Sequence, residues 1–501
     1  MEFGISHCLS ELALYAKNKG LLCEDDEVFV KNAWLSLLSA EPDAEAEVDE
    51  ARPLEQILSS LCDLAGDRSV IDKESITARD LFDTALMGVI TPRPSEVIRR
   101  FYKLYEKSPA AATEDFYRMQ GDVNYIRTAR VAKDLKWQVE SPYGTMDITI
   151  NLSKPEKDPK AIAAARKEKA SGYPKCLLCH ECEGFVGDLS RPARQNLRQI
   201  PLEMAGKKWY LQYSPYVYYN EHCIALSAAH EPMRIDCSSF KKALDFVTAF
   251  PHYFIGQNAD LPIVGGSILS HDHMQGGAYT FAMAKAPIKK EVRFSGFEDV
   301  FAGIVAWPMS VIRLEGESKE RLVLLADKIL SAWRGYSDES ADVLAFSGAE
   351  PHNTVTPIAR RRGELYQLDL VLRNNRTTEE HPLGIFHPHA DLHNIKKENI
   401  GLIEVMGLAV LPARLKDEME ALSRAILENK DIASSKKTEK HASWLAAFRD
   451  KYTFTKENVK DILFEEIGKT FVRVLEDAGV FKYTPAGEEA FLRFVSAVNA
   501  I

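Results

Sequence analysis

The stretch Gly265-Gly-Ser-Ile-Leu-Ser-His-Asp-His-Met-Gln-Gly-Gly277 brings two histidines and a glutamine together between pairs of glycines. The apolar residues before it, Leu261 to Val264, are typical of a buried strand. Alternate residues of an extended segment point to the same side, so we expect His271, His273 and Gln275 to line one face. The glycines would let a ligand approach the backbone. The alternative is that the His-x-His pair is structural.

A histidine in this glycine-flanked motif indicates a nucleophile that attacks phosphorus. Imidazole is nucleophilic at neutral pH because its unperturbed pKa is about 6.5. Phosphorylated imidazole is also a good leaving group, so one displacement can be split into two steps with ping-pong kinetics. Gln275 can hydrogen-bond a phosphoryl oxygen but cannot deliver a proton, and a phosphate leaving group needs none. The pattern therefore favours transfer of a nucleotidyl group to a second phosphate.

A second element, Cys176-Leu-Leu-Cys179, predicts half of a zinc site or a redox pair. The sequence around it lacks the βαβ pattern that would favour the redox interpretation. The thiols could instead be buried apolar groups. Further zinc ligands would come from a set of nearby thiols and imidazoles: His180, Cys182, His222, Cys223, His230 and His271.

Two further segments are candidates for anion or metal binding. Phe386 to His393 contains three histidines, and Lys396 and Lys397 follow, which indicates either a second metal or anion site or a polar surface turn. The segment Pro192-Ala-Arg-Gln-Asn-Leu-Arg198 offers two arginines, whose planar guanidinium groups suit phosphate. Its alternative is a solvated loop.

Composition bounds the class of protein. The chain has 501 residues, 46% of them hydrophobic, and 63 basic against 73 acidic residues give a net charge of −10. Such a balance predicts a soluble globular protein and argues against one that coats nucleic acid or an anionic membrane. The eight cysteines are too sparse for a disulfide framework. We expect neither a signal peptide nor a membrane span, and therefore a cytoplasmic protein.

The pattern of elements changes along the chain. Residues 1–130 have helical periodicity, Met146 to Leu152 alternates like a strand, and Lys154 to Lys169 is expected to be an exposed helix or linker. The chain is mixed from 176 to about 415 and helical again afterwards. The expected strands are Tyr216–Tyr219 and Ile224–Leu226. The expected helices are Leu54–Ala65, Ser95–Glu106, Phe240–Phe250, Lys416–Glu428, Ser443–Lys451 and Lys456–Ala478.

Two similar His-x-His elements, at 271/273 and 387/389, suggest a duplicated α/β unit. We therefore predict an α/β (α+β) fold with helical regions at both ends. The predicted units are 1–135, helical; 136–290, the first sheet unit with the catalytic motif; 291–415, the second sheet unit; and 416–501, helical.

Long segments of the chain resemble the bacterial class II galactose-1-phosphate uridylyltransferases. The resemblance covers essentially the whole chain and is carried by Tyr173 to Cys179, Pro192 to Asn196, Leu211 to His222, Phe250 to Asn258, Gly265 to Gly277 and Asn394 to Pro412. It implies a duplicated histidine-triad-like sheet core. It also implies exchange of UDP-glucose and galactose 1-phosphate to give UDP-galactose and glucose 1-phosphate, as in galactose metabolism by the Leloir pathway. A homodimer is the candidate assembly.

The resemblance also implies roles for individual residues. His273 falls on the histidine that receives the uridylyl group and Gln275 on the phosphate-binding glutamine. Asn196 lies in a segment similar to the family's uridine contact. The other implied substrate-binding residues are Arg194, Arg198, Asn258, Gly276 and Lys396. The implied structural zinc ligands are Cys176, Cys179, His230 and His271, and His387 and His389 fall on a second metal pair.

The sequence departs from the class I enzymes of the same family at several positions. Asp272 stands in place of a proline between the two histidines, and Met274 in place of a glycine. No acidic ligand follows Gln275 at the class I spacing, which puts a second metal in doubt. At the position of the glutamate that contacts the hexose in class I enzymes, this sequence has Leu408 or Ala409. The residues that select the hexose in class I therefore cannot be assigned to this chain. Alternative functions are another nucleotidyltransferase or dinucleoside polyphosphate phosphorylase of the superfamily, or a zinc-stabilised nucleic-acid-binding protein.

Overall fold

The computed structural model describes residues 3–43, 48–153, 172–266 and 268–500. The predicted helix or linker from Lys154 to Lys169 lies outside the described residues. In the described part, no helix has both the length and the apolar character needed to cross a membrane.

The N-terminal region is helical, as predicted. Side-chain caps begin several of its helices: the hydroxyl of Ser75 accepts from Ala78 N, and that of Ser108 from Ala111 N. Trp34 lies at the centre of this region's core, fully buried. The helices are α1 Ile5–Asn18, α2 Glu27–Leu37, α3 Leu54–Asp67, α4 Ile76–Ile90, α5 Pro94–Tyr105, α6 Pro109–Asp122 and α7 Thr128–Val131.

A ten-stranded antiparallel sheet occupies the middle of the chain. Its strands are β3 Ile200–Met204, β4 Lys207–Tyr213, β5 Cys223–Ser227, β6 Phe254–Gly256, β7 His273–Gly277, β8 Ile288–Val292, β9 Phe301–Val305, β10 Val311–Gly316, β13 Asn353–Arg362 and β14 Leu365–Asn374. Their spatial order is β3-β4-β5-β7-β6-β13-β14-β10-β9-β8.

This strand order shows that the sheet is duplicated. In each half, five successive strands of the sheet have the spatial order first-second-third-fifth-fourth, and the two fourth strands, β6 and β13, pair at the centre. A helix follows the third strand in both halves, α8 Cys237–Ala249 in the first and α10 Lys319–Gly335 in the second. The predicted duplicated α/β core is therefore confirmed. The two His-x-His elements, which led to this prediction, are not the structural repeat. His387 and His389 lie outside the strands, and the counterpart of β7 is β14.

The remaining elements cover the sheet. A small sheet of β1 Leu135–Ser141, β2 Gly144–Ile150 and β15 Leu408–Leu411 packs with the C-terminal helices, and β15 pairs with β2 in parallel. The other strands are β11 Phe346–Ser347 and β12 Glu350–Pro351. The other helices are α9 Ala282–Lys285, α11 Leu402–Val405, α12 Arg414–Leu427, α13 Ala442–Ala446, α14 Val459–Ala478 and α15 Pro485–Asn499. The four-unit division of the chain stays a prediction.

Two predicted strands were wrong. Leu261–Val264 forms a turn in which Val264 N donates to Pro262 O and Ile263 has a φ of 71°. Tyr216–Tyr219 is also a turn, with Val217 at a φ of 43°. In both, a positive φ at a β-branched residue interrupts the extended backbone. The predicted Ser443–Lys451 helix is shorter, because α13 ends at Ala446 and a separate 3₁₀ turn covers Arg449–Lys451.

A network of buried ion pairs joins three strands in the second half of the sheet. Asp369 is fully buried and accepts from Arg313 Nε at 2.7 Å and from Arg360 Nη1 at 2.8 Å. Burial alone would raise the pKa of Asp369, but the charges of Arg360 and Arg313 hold it below its ordinary value. These contacts cross three neighbouring strands, β13, β14 and β10.

We expect Asp369→Asn to lower the free energy of unfolding by about 3–5 kcal/mol, because it leaves two buried guanidinium groups without a counter-charge. Chemical denaturation of the whole chain measures this. The control is Glu364→Ala on the same hairpin. Glu364 is exposed and lies 3.6 Å from Arg361, so its loss should cost no more than about 1 kcal/mol. Equal stability of the two variants would contradict the assignment.

Candidate active site

His273 is the first residue of β7, which lies between β5 and β6. It pairs with Leu226 on β5, while Gln275 pairs with Ile224 on β5 and with Gly256 on β6. Because residues alternate along a strand, the His273 and Gln275 side chains point to the same face of the sheet, as predicted. His271 was expected on that strand too, but it precedes the first paired residue and joins a separate group of side chains.

A backbone contact fixes the proton on the His273 ring. Its Nδ1 lies 2.8 Å from the carbonyl oxygen of His271. Since a carbonyl only accepts, Nδ1 carries the hydrogen, and the lone pair lies on Nε2. Burial lowers the pKa of His273, which keeps the ring neutral. The geometry thus leaves Nε2 as the ring atom that is able to act as a nucleophile.

Asp272 anchors the backbone between the two histidines. Its carboxylate accepts from Lys242 Nζ at 2.7 Å and from Gln257 Nε2 at 2.6 Å, and all three side chains are buried. Its main chain is held as well, because Asp272 N donates to Glu231 O and Ser227 N donates to Asp272 O. Side-chain and main-chain contacts of Asp272 therefore both restrain the backbone between His271 and His273.

Cys176, Cys179, His230 and His271 form one compact group whose ligand atoms all lie within 4.8 Å of one another. The Sγ atoms of the two cysteines are 3.6 Å apart, and each lies 3.2 Å from an Nδ1 atom, Cys176 from His271 and Cys179 from His230. A tetrahedral ion bound at about 2.3 Å to sulfur and 2.0–2.1 Å to nitrogen needs similar separations.

The outer contact of His271 also suits a metal ligand. Its Nε2 lies 2.9 Å from Ser227 O, so Nε2 carries the hydrogen and Nδ1 is free to bind an ion. His230 follows the end of β5, as the sequence indicated, and Cys182 instead donates to the carbonyl of Cys176. These four residues therefore fit a tetrahedral metal ion. One of them, His271, lies two residues before His273 in the sequence.

Two family models match the chain. Residues 43–232 match "Galactose-1-phosphate uridyl transferase, N-terminal domain", and residues 246–446 match the C-terminal domain of the same description. The chain belongs to the galactose-1-phosphate uridylyltransferase family. The resemblance stated from the sequence is confirmed.

Relatives in this family match over nearly the full length. The galactose-1-phosphate uridylyltransferase of Halalkalibacterium halodurans is 52% identical, with 98% of each chain covered. That of Bacillus subtilis is 49% identical, covering 98% of this chain and 97% of the relative. Among solved structures, yeast Ap4A phosphorylase Apa2 matches with 12% sequence identity and a TM-score of 0.33. The match covers 69% of this chain and 98% of the phosphorylase chain. That last similarity is too weak to bear on fold or substrate.

The contact between His222 and Gln275 is the main feature of this uridylyltransferase-family chain that the sequence analysis missed. His222 was considered only as a zinc ligand, whereas its Nε2 lies 3.1 Å from Gln275 Oε1. Burial lowers the pKa of His222 to about 4, so the ring is neutral at neutral pH. Its neighbours Tyr218 and Tyr219 pack against it, with ring centroids 5.4 and 4.5 Å away. Its signals in the sequence were the adjacent aromatic residues and its place at the end of the segment Leu211 to His222.

Three of the expected substrate-binding residues have structural partners. Arg198 is buried and donates to the backbone carbonyls of Pro92, Thr91, Gln195 and Leu197, so it joins the loop to the N-terminal helices. Asn196 Nδ2 donates to Val123 O. Gly276 points to the opposite face from His273, where an added Cβ would lie 2.5 Å from Phe254 O. The Arg198 guanidinium is thus engaged by backbone carbonyls, and the substrate contacts expected of Arg198 and Gly276 stay predictions.

The other expected binding residues are placed differently. Arg194 is half-buried with its guanidinium 5.5 Å from the centre of the Tyr125 ring. The Asn258 side chain is buried near Gly266 and accepts from Leu402 N at 2.8 Å. Lys396 is buried in an ion pair with Glu404 Oε1 at 2.9 Å, so its charge is already compensated.

In the part of the chain that the structure describes, His387 and His389 belong to no group of three or more side chains placed to hold a metal ion. His389 Nδ1 lies 3.7 Å from Asp477 Oδ2 and its ring stacks on His381, while His387 Nδ1 faces Pro388 O. Burial lowers the pKa of His387 to about 4. Within the described residues, the Cys176 group is the one cluster of three or more side chains placed to hold a metal.

Proposed function

We propose that this chain transfers a uridylyl group from UDP-glucose to galactose 1-phosphate through a covalent intermediate on His273. The observation that carries the proposal is the contact of His273 Nδ1 with the His271 carbonyl, which leaves Nε2 as the nucleophile. Family membership supplies the substrates, since the relatives are named galactose-1-phosphate uridylyltransferase. These substrates and the small number of cysteines suit a cytoplasmic enzyme.

In the first half-reaction, His273 Nε2 attacks the α-phosphorus of UDP-glucose. A nitrogen–phosphorus bond forms, the bond to the bridging oxygen breaks, and glucose 1-phosphate leaves with that electron pair. The ring then carries a positive charge, and its Nδ1–H remains bonded to the His271 carbonyl, which stabilises that charge. In the second half-reaction, a phosphate oxygen of galactose 1-phosphate attacks the same phosphorus, and neutral His273 is released with UDP-galactose.

Gln275 is proposed to donate a hydrogen bond from its amide to a phosphoryl oxygen in both half-reactions. An amide cannot release a proton, which suits a reaction whose leaving group is already a phosphate. Asn258 and Arg194 remain the proposed substrate-binding groups. Asn196 and Lys396 support the binding region through their buried contacts.

Incubation with UDP-glucose alone should add the mass of one uridylyl group to the intact protein, and galactose 1-phosphate should remove it. His273→Gly should abolish the adduct, because the attacking atom is gone. The matched control is His389→Gly, the second histidine of the other His-x-His element, which should still form it. Labelling of His273→Gly at the parental rate would contradict the assignment. Labelling by AMP from a dinucleoside polyphosphate, with none by UMP, would favour the phosphorylase alternative.

We also propose that the ion held by Cys176, Cys179, His230 and His271 is zinc with a structural role. Two thiolates and two imidazoles are a common zinc ligand set, and all four positions are occupied by side chains, as in structural sites. When bound, the ion would join the Cys176 loop to the segment that leads into His273.

We expect about one zinc ion per chain by elemental analysis, and loss of that zinc in Cys179→Ser. The metal-free variant should also unfold at a lower temperature, because metal binding contributes to folding free energy. Cys182→Ser is the control, since this thiol is close by but outside the ligand set, and it should retain zinc. Full zinc content in Cys179→Ser would exclude this ligand set.

A further inference from the structure

We propose that His222 is a positioning residue that fixes which way the Gln275 carboxamide faces. This inference rests on the proposed function, because it assigns a task within that reaction. The contact that supports it joins His222 Nε2 to Gln275 Oε1 at 3.1 Å.

The His222 ring is held in place from several sides. It is 2% exposed and packs against Tyr218 and Tyr219. The main chain is fixed too, since His222 N donates to Tyr219 O and Ser214 N donates to His222 O. The next residue begins β5, which pairs with the strand carrying Gln275. The ring therefore forms a rigid reference point beside a half-exposed glutamine.

The surroundings of the ring indicate which nitrogen carries hydrogen. Nδ1 is buried and has no hydrogen-bond partner within the described part of the chain. A buried N–H without an acceptor is rarer in proteins than an unpaired acceptor, so the hydrogen belongs on Nε2. His222 Nε2–H then donates to Gln275 Oε1, and the Gln275 NH₂ group is directed away from His222.

This matters because a carboxamide has two orientations of similar shape and opposite polarity. Only one of them presents N–H groups to an anionic phosphoryl oxygen, and the other presents a carbonyl that repels it. If the Gln275 carbonyl faces His222, it accepts a hydrogen bond from Nε2–H. If the Gln275 NH₂ group faced His222, two N–H groups would meet without an acceptor. His222 thereby selects the orientation that stabilises negative charge on the transferred group.

Two substitutions at this position separate the roles of the ring atoms. His222→Gln places an amide N–H near the position of Nε2, whereas His222→Asn reaches only as far as Nδ1. We expect His222→Asn to slow formation of the uridylyl-enzyme from UDP-glucose about tenfold, and His222→Gln to restore most of the rate. Single-turnover mixing followed by intact mass measures this step directly. Equal rates for His222→Asn and the parent would overturn the inference.

A second background tests whether His222 acts through Gln275. In Gln275→Ala, His222→Asn should cause no further slowing, because the group it orients is absent. A further tenfold loss there would show a general structural role and overturn the inference. Zinc content and melting temperature should match between His222→Asn and His222→Gln. Failure of the proposed function looks different, since the parent chain itself would then gain no uridylyl group.

Discussion

The pairing of β6 with β13 is the constraint on which the rest of the structure depends. Three residue pairs, Phe254 to Gly256 against Ile358 to Arg360, join two five-stranded halves into one sheet. Gly256 allows close packing there, because an added Cβ would lie 2.7 Å from Leu402 Cδ1 and 3.0 Å from Pro357 O. The same strand also pairs with β7, so the junction of the halves sets the position of His273 and Gln275.

From this junction the restraints continue into the active site. β7 has a partner strand on each side, and the residue before it, Asp272, is held by Lys242 from α8 and by Gln257 from the end of β6. A metal at the Cys176 group would add a third attachment through His271. In the proposed mechanism His273 would therefore need little rearrangement to attack, which would favour the reaction because reorganisation adds to the barrier.

Sequence reasoning identified the site motif and family but not the way the site is held. The spacing of His273 and Gln275 predicted their common face, because a strand's period is local. Leu261–Val264 was predicted to be a strand from its apolar residues, yet a positive φ at Ile263 makes it a turn, and periodicity of four residues does not reveal this. The His222–Gln275 contact joins residues 53 positions apart, and only the pairing of β5 with β7 brings them together.

The two halves of the sheet share a strand order but use the same face differently. On β7 that face carries His273 and Gln275, the residues proposed to carry out the chemistry. On its counterpart β14 the same face carries Asp369, buried between Arg313 and Arg360, and Arg373, which donates to Ile400 O. Buried ion pairs of this kind fill a face and leave no lone pair free to attack. The ionic side chains of the second half thus join its strands and give structural support to the half that carries His273.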